Sequence, residues 1–320
     1  MIHKMRIIRN NSNMQSLSIR CLGWAVLLLM FGWFAGCASQ PALESKAETA
    51  VIPSSVEPAK RVPKIGLALG GGAARGFAHI GVIQVLEEAG IRPALVTGTS
   101  AGSLVAAFYA SGKSVGQLQR LAETMDEATF ADWTLPIFSR GILRGEALAR
   151  YVHAQVGGRL IENMVLPLGI VATDLRSGQG VLFQRGDTAT AVRASSAVPA
   201  VFQPVLIAGR EYVDGGLVSP VPVRYARQMG ADIVVAVDIS SSPENNAAGD
   251  TLQILLQTFT IMGKSINGLE LKDADVVVRP ALNGVASSDF SARRRAIEAG
   301  RVAMRQNLSR LQTLIQHWGG

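Results

Sequence analysis

Ser100 stands at the centre of Gly98-Thr99-Ser100-Ala101-Gly102, a G-x-S-x-G pentapeptide. Such a serine can sit on a sharp strand-to-helix turn. The flanking glycines let the backbone fold tightly, and the hydroxyl is pushed outward as a nucleophile. Upstream lies a second device, Gly70-Gly71-Gly72, followed by Ala73-Ala74-Arg75-Gly76. A turn bare of side chains at a helix start offers N–H groups to an anion or to a developing oxyanion. Nucleotide chemistry fits this turn poorly. A dinucleotide fingerprint needs glycine where Arg75 stands, no acid closes the second strand, and no Lys-Ser/Thr follows at P-loop spacing. No His/Asp/Glu cluster has metal-ligand spacing, so neither metal nor cofactor is expected. A nucleophile beside ready-made N–H donors is equipment for acyl transfer.

The elements around these devices are readable. Ile65 to Leu69 is a short apolar run ending in the glycines. Phe77, Ile80, Val82, Ile83, Val85 and Leu86 then recur at roughly helical spacing up to Gly90. Pro93 to Thr97 repeats the apolar run ahead of Ser100, and Leu104, Val105 and Phe108 open a second helix. If the two strands are parallel neighbours, both turns lie at one sheet edge and face each other across a crevice. Later segments continue the alternation, which implies an α/β fold with a mostly parallel, doubly wound sheet flanked by helices. Leu166 to Leu175 and Asp232 to Asp238 read as buried strands, Gly180 to Arg185 as a neighbour of the first. Asp275 to Arg279 reads as a last short strand. Pro204 to Val213 reads as a hairpin turning at Ala208-Gly209-Arg210. Helices are expected over 114–138 in its first part, 144–156, 188–198, 220–229, 249–271 and 291–318. The run Arg293-Arg294-Arg295 reads as a solvated helix face.

GGGAARGFAHIGV followed by GTSAG resembles the bacterial branch of the patatin-like phospholipases. The ASSAVPAVFQPV block, residues 194–205, shares the likeness. The resemblance implies a three-layer α/β/α hydrolase that cleaves lipid acyl esters with a Ser–Asp dyad. In that pattern the glycine loop is the oxyanion hole and a later Asp-Gly-Gly carries the base. The chain supplies Asp214-Gly215-Gly216. Ser100 would then be the nucleophile and Asp214 the base. Gly70, Gly71 and Gly72 would be the oxyanion donors, with Arg75, Gly76, Gly98, Gly102, Gly215 and Gly216 shaping the turns. Of the histidines, His3 lies in the N-terminal segment, His79 and His153 on helices, and only His317 follows Asp214 as a triad base would. Asp174 and Asp238 end strands and are assigned to structure.

Charge argues against a nucleic-acid binder. The formal charge is +7, but Lys4, Arg6, Arg9 and Arg20 precede Cys37 with no acid among them; without these four it falls to about +3. The only cysteines, Cys21 and Cys37, lie outside the presumed globular part. Residues 1–20 are basic and polar, 21–36 continuously apolar, and Ala35-Gly36 precedes Cys37. This describes a secretory signal over residues 1–36, with Met1 or Met14 as its start. Small-small-Cys resembles a bacterial lipoprotein box with Cys37 as the lipidated residue, although Phe34 replaces the usual Leu. Ala38, by resemblance to sorted lipoproteins, favours the outer membrane, facing the periplasm. Residues 37–63, rich in Ala, Ser, Pro and Glu, read as a lipid-anchored tether. The hydrolase domain is expected over 64–320. The expected substrate is membrane phospholipid or lysophospholipid. The alternatives are a non-catalytic lipid- or partner-binding lipoprotein on the same fold, or a thioesterase or peptidase with the same dyad.

Overall fold

In the computed structural model the strands and helices alternate from β1 (Ile65–Leu69) onward. The structure describes residues 61–126, 128, 132, 141–245 and 249–318. The expected signal segment, Cys37 and nearly all of the tether lie outside the described residues. All that follows belongs to the unit Pro58–Gly320. After β1 come α1 (Ala78–Glu88), β2 (Leu95–Thr99), α2 (Ala101–Ala110), α3 (Val115–Thr124), β3 (Gly141–Leu143) and α4 (Glu146–Val156). Then follow β4 (Leu168–Asp174), β5 (Gly180–Phe183), α5 (Thr188–Ser195), β6 (Ala200–Phe202), β7 (Val205–Ile207) and β8 (Arg210–Asp214). The chain closes with α6 (Val223–Gln228), β9 (Ile233–Val237), α7 (Thr251–Glu270), β10 (Val276–Val278) and α8 (Arg293–Gln316).

The main sheet runs β10-β9-β1-β2-β4, with all four of these pairings parallel. β1 and β9 are apolar along their whole length because both faces of the sheet are covered. Leu67, Leu69, Val235 and Val237 point into the core shared with α1, α2 and α8. Ala68, Val234 and Ala236, alternating with them, point into the core beneath α6. This period of two between two helical layers is the three-layer α/β/α arrangement.

The register around β4 decides where the site forms. β5 lies antiparallel along one flank, pairing Ile170 to Thr173. On the other flank β2 pairs as far as Thr99 with Val171. The next residue, Ala172, pairs with Asp214 of antiparallel β8. Two strands therefore abut end to end on one side of β4, the last residue of β2 against the last residue of β8. The hairpin that delivers β8 turns through Ala208 and Gly209, both at positive φ (49° and 79°), the backbone that a two-residue hairpin loop demands. β3 and β6 form a small parallel pair that sequence reading did not anticipate.

Candidate active site

Ser100 follows β2 directly and is the N-cap of α2, with φ 52° and ψ −123°. A non-glycine residue held there costs on the order of 1–3 kcal/mol and persists only where its surroundings enforce it. The enforcement is visible. A Cβ on Gly98 would lie 2.5 Å from the Gly102 backbone, and one on Gly102 would lie 2.1 Å from the Leu69 oxygen. The Ser100 N–H donates to Ser195 Oγ at 2.9 Å, and that hydroxyl donates onward to the Val171 oxygen. Ser103 Oγ donates to the Ser100 carbonyl at 2.6 Å. The hydroxyl of Ser100 is thus presented at the positive end of α2 by a clamped backbone.

Asp214 ends β8 and is 6% exposed. The Ser100 side chain lies beside its carboxylate and favours the ionised form. Its Oδ1 accepts from the Gly216 N–H at 2.6 Å. Burial pushes its pKa up from 3.8 to about 6, against the lowering effect of those two groups. It remains mostly ionised at neutral pH yet is a better proton acceptor than an ordinary aspartate. Its backbone is pinned on both sides. The Asp214 N–H donates to the Ala197 oxygen at 3.0 Å, and Thr173 Oγ1 donates to the Asp214 carbonyl at 2.8 Å. Gly215 has no room for a Cβ, which would sit 2.3 Å from the Val171 oxygen. Thr99 Oγ1 donates to the Ser219 oxygen at 2.8 Å, tying the chain beyond Asp214 to the end of β2.

The glycine loop differs from expectation. The Gly70 N–H donates to the Val237 oxygen at 3.1 Å and the Gly71 N–H to the Pro220 oxygen at 2.9 Å. These two donors are committed to the scaffold, so neither is free for an oxyanion. The N–H groups of Gly72 and Ala73 make no hydrogen bond among the described residues. Ala73, at φ 49°, lines the same cavity as Ser100. Gly71 is still required for close approach, since a Cβ there would stand 3.2 Å from that of Ser100. A Cβ on Gly76 would stand 2.9 Å from that of Ala101. Arg75 is buried and braces the loop by donating to the Ser240 oxygen at 2.8 Å. Desolvation lowers its pKa, partly offset by Asp238.

The histidines are placed elsewhere. His79 is fully buried, and burial lowers its pKa to about 4, so it is neutral. Its Nε2 lies 2.8 Å from the Gly70 oxygen and, protonated there, props up the loop. His153 and His317 are exposed on α4 and beyond α8. Asp174 caps a turn, accepting from the Arg176 and Ser177 N–H groups, and Asp238 accepts from the Ser240 N–H.

Ser100 opens on a cavity of about 280 Å³ whose wall is apolar apart from Ser100 and Ser196. Phe77, Leu104, Phe108, Leu148, Phe202 and Phe290 make up much of it. Apart from those two hydroxyls, no side chain in that wall would hydrogen-bond a polar substituent, whereas a hydrocarbon chain fits its chemistry. Two contributors escaped sequence reading. Ser195 orients the elbow through the Ser100 N–H, and Phe202 of β6 walls the cavity. The signal for both is the 194–205 block itself, whose residues do not disclose a partner near residue 100. Among the described residues no group of His, Cys, Asp and Glu could hold a metal ion.

Comparison with known proteins agrees with this architecture. The profile of a family described as patatin-like phospholipase matches residues 67–227. An uncharacterised NTE family protein of Mycobacterium tuberculosis is 36% identical over 208 residues, 65% of this chain and 58% of that protein. Human patatin-like phospholipase domain-containing protein 6 is 36% identical over 198 residues, 59% of this chain and 14% of that one. The chain therefore spans little more than half the length of the mycobacterial relative. The crystal structure of VipD from Legionella pneumophila superposes with a TM-score of 0.53 at 16% identity, covering 78% of this chain and 67% of that one. That likeness is one of fold.

Proposed function

The chain belongs to the patatin-like phospholipase family, and from that premise we propose that it hydrolyses acyl esters of phospholipids or lysophospholipids with a Ser100–Asp214 dyad. The observation that carries the reading is one juxtaposition: Ser100, on the wall of an apolar cavity, lies beside the buried carboxylate of Asp214.

Asp214 takes the Ser100 proton as Oγ bonds to the ester carbonyl carbon. The new oxyanion is held by the free N–H groups of Gly72 and Ala73, helped by the positive end of α2. The carbonyl re-forms, the C–O bond to the alcohol breaks, and Asp214 returns its proton to the leaving oxygen. Water then gives a proton to Asp214 and attacks the acyl-enzyme, releasing the fatty acid and restoring Ser100. A carboxylate poised near 6 suits both directions of that transfer. The cavity holds the acyl chain. The composition of residues 1–37 supports placing this chemistry at a cell envelope, with Cys37 lipidated and the domain facing the periplasm from the outer membrane.

The full chain, with Ser100→Ala as the blank, should release fatty acid from phospholipid or lysophospholipid vesicles. Turnover confined to acyl thioesters or peptides would replace this reading with the thioesterase or peptidase one. No turnover of any ester by the folded chain would favour a binding protein.

A further inference from the structure

Helix α7 presents the wrong residues to solvent. A surface helix ordinarily buries its apolar stripe and turns charge outward. At 100° per residue, Ile254, Leu255, Ile261, Met262 and Leu269 fall in one arc of about 120°, with Thr258 and Ser265 between them. That arc faces outward: Ile254 is 56% exposed, Ile261 50%, Met262 48% and Leu269 69%. It contains no charged residue. The opposite face packs on the chain, where Asn267 and Glu270 are buried. A contiguous uncharged apolar stripe on a protein surface marks an interaction site.

The chemistry of the stripe selects its occupant. A protein partner is met by roughly one hydrogen bond per 100–200 Å². Here the two hydroxyls within the arc are turned inward: Thr258 Oγ1 donates to the Ile254 oxygen at 2.9 Å and Ser265 Oγ to the Ile261 oxygen at 3.3 Å. Self-satisfied hydroxyls among branched aliphatics tolerate hydrocarbon, where every polar group must find its partner inside the protein. Lys272, exposed just beyond Leu269, forms no ion pair among the described residues and suits an anionic headgroup. The proposed lipid on Cys37 sits at the far end of residues 38–60. A connection of that length spans at most about 80 Å, so the membrane holding that lipid is within the domain's reach.

We propose that the outward stripe of α7, Ile254 to Leu269, is a lipid-surface docking face that inserts its apolar side chains at the level of the acyl boundary. The buried face of the same helix is joined to both loops of the site. Ser219 Oγ donates to Glu270 at 2.6 Å, in the segment that follows Asp214. Asn267 Nδ2 donates to Ser240 Oγ at 3.2 Å, and the Ser240 carbonyl is the acceptor for Arg75 of the glycine loop. Docking through α7 therefore ties the lipid-bound helix directly to the two loops that flank Ser100. The proposal deepens the phospholipid reading and rests on it for its purpose, but its test does not need turnover.

The test is amide exchange, followed by mass spectrometry, over residues 251–263 of the full Ser100→Ala chain. It is run with and without vesicles of phosphatidylethanolamine and phosphatidylglycerol. The expected result is at least tenfold slower exchange on vesicles, abolished by Ile254→Asp with Ile261→Asp. Ile254→Ser with Ile261→Ser serves as a second, milder pair should the aspartates unfold the helix. In the active chain either pair should lower vesicle phospholipid hydrolysis at least tenfold while hydrolysis of a dissolved short-chain ester stays within twofold. Unchanged exchange on vesicles overturns the proposal. So does slowing that follows protein concentration without vesicles, which means a second copy covers the stripe. Slowing on vesicles together with an active chain that cleaves no ester sinks the hydrolase reading and leaves the docking face standing.

Discussion

Replacing Asp214 with Asn should stabilise the fold while abolishing hydrolysis, and the gain should depend on pH in one direction. The unfolded chain ionises Asp214 near 3.8, the folded chain near 6. Between those values the folded state holds the proton more tightly, so wild-type stability is greatest below about 4 and falls as pH rises through 6. About two pK units at 1.36 kcal/mol each make the full loss roughly 3 kcal/mol. Most of it, about 2–3 kcal/mol, falls between pH 4 and pH 8. The asparagine carries no charge to desolvate, and its amide oxygen can still accept from the Gly216 N–H. The variant's advantage over wild type should therefore grow by about 2–3 kcal/mol from pH 4 to pH 8, a shift of roughly 5–10 °C in melting temperature. Paired thermal or urea unfolding of the two proteins at both pH values measures this difference, in which the titrations common to both cancel. An advantage that is constant with pH, or that shrinks as pH rises, would show that Asp214 is not a desolvated carboxylate. The argument for its basicity would go with it. The trade of stability for a strained, poorly solvated site is the usual signature of a functional residue.

Further outcomes follow from the same geometry. Ser195→Ala strips the Ser100 N–H of its acceptor and the Val171 oxygen of its donor. It should cost about 1–3 kcal/mol per unmet group and lower kcat at least tenfold with little change in KM. Wild-type kcat would remove Ser195 from the positioning of the elbow. His79→Gln should lower the melting temperature yet leave a single activity inflection near pH 6, rising as Asp214 ionises. Disappearance of that inflection would make His79, not Asp214, the titrating base.

Much of this site is legible in the amino-acid order because glycine answers to local backbone demands. Gly98 and Gly102 flank Ser100 at the positions where a Cβ would strike the chain, and Gly215 stands where β8 must press against β4. The strands are legible for a related reason: β1 and β9 are apolar throughout because helices cover both faces. What the order of residues does not disclose is partnership across the chain. Gly70 and Gly71 look as free as Gly72 until Val237 and Pro220 bring their carbonyls to them, which narrows the oxyanion donors to Gly72 and Ala73. Ser195 reads as one small residue among several, yet it holds the nucleophile's backbone from 95 positions away. β3 and β6 are three residues each, too short for any periodicity to register. The helical spacing of 251–270 is plain, but which side of that helix faces the core depends on Ser219, Pro220 and Ser240, none of them nearby in sequence.

The central claim is that one carboxylate activates one hydroxyl. Intact-mass and peptide analysis of the full chain after exposure to a fluorophosphonate tests it directly, run on wild type and on folded Asp214→Asn. The account predicts a single adduct on Ser100 in wild type, formed at least a hundredfold more slowly in the variant. An adduct on any other residue, or equal labelling of the two proteins, would contradict it.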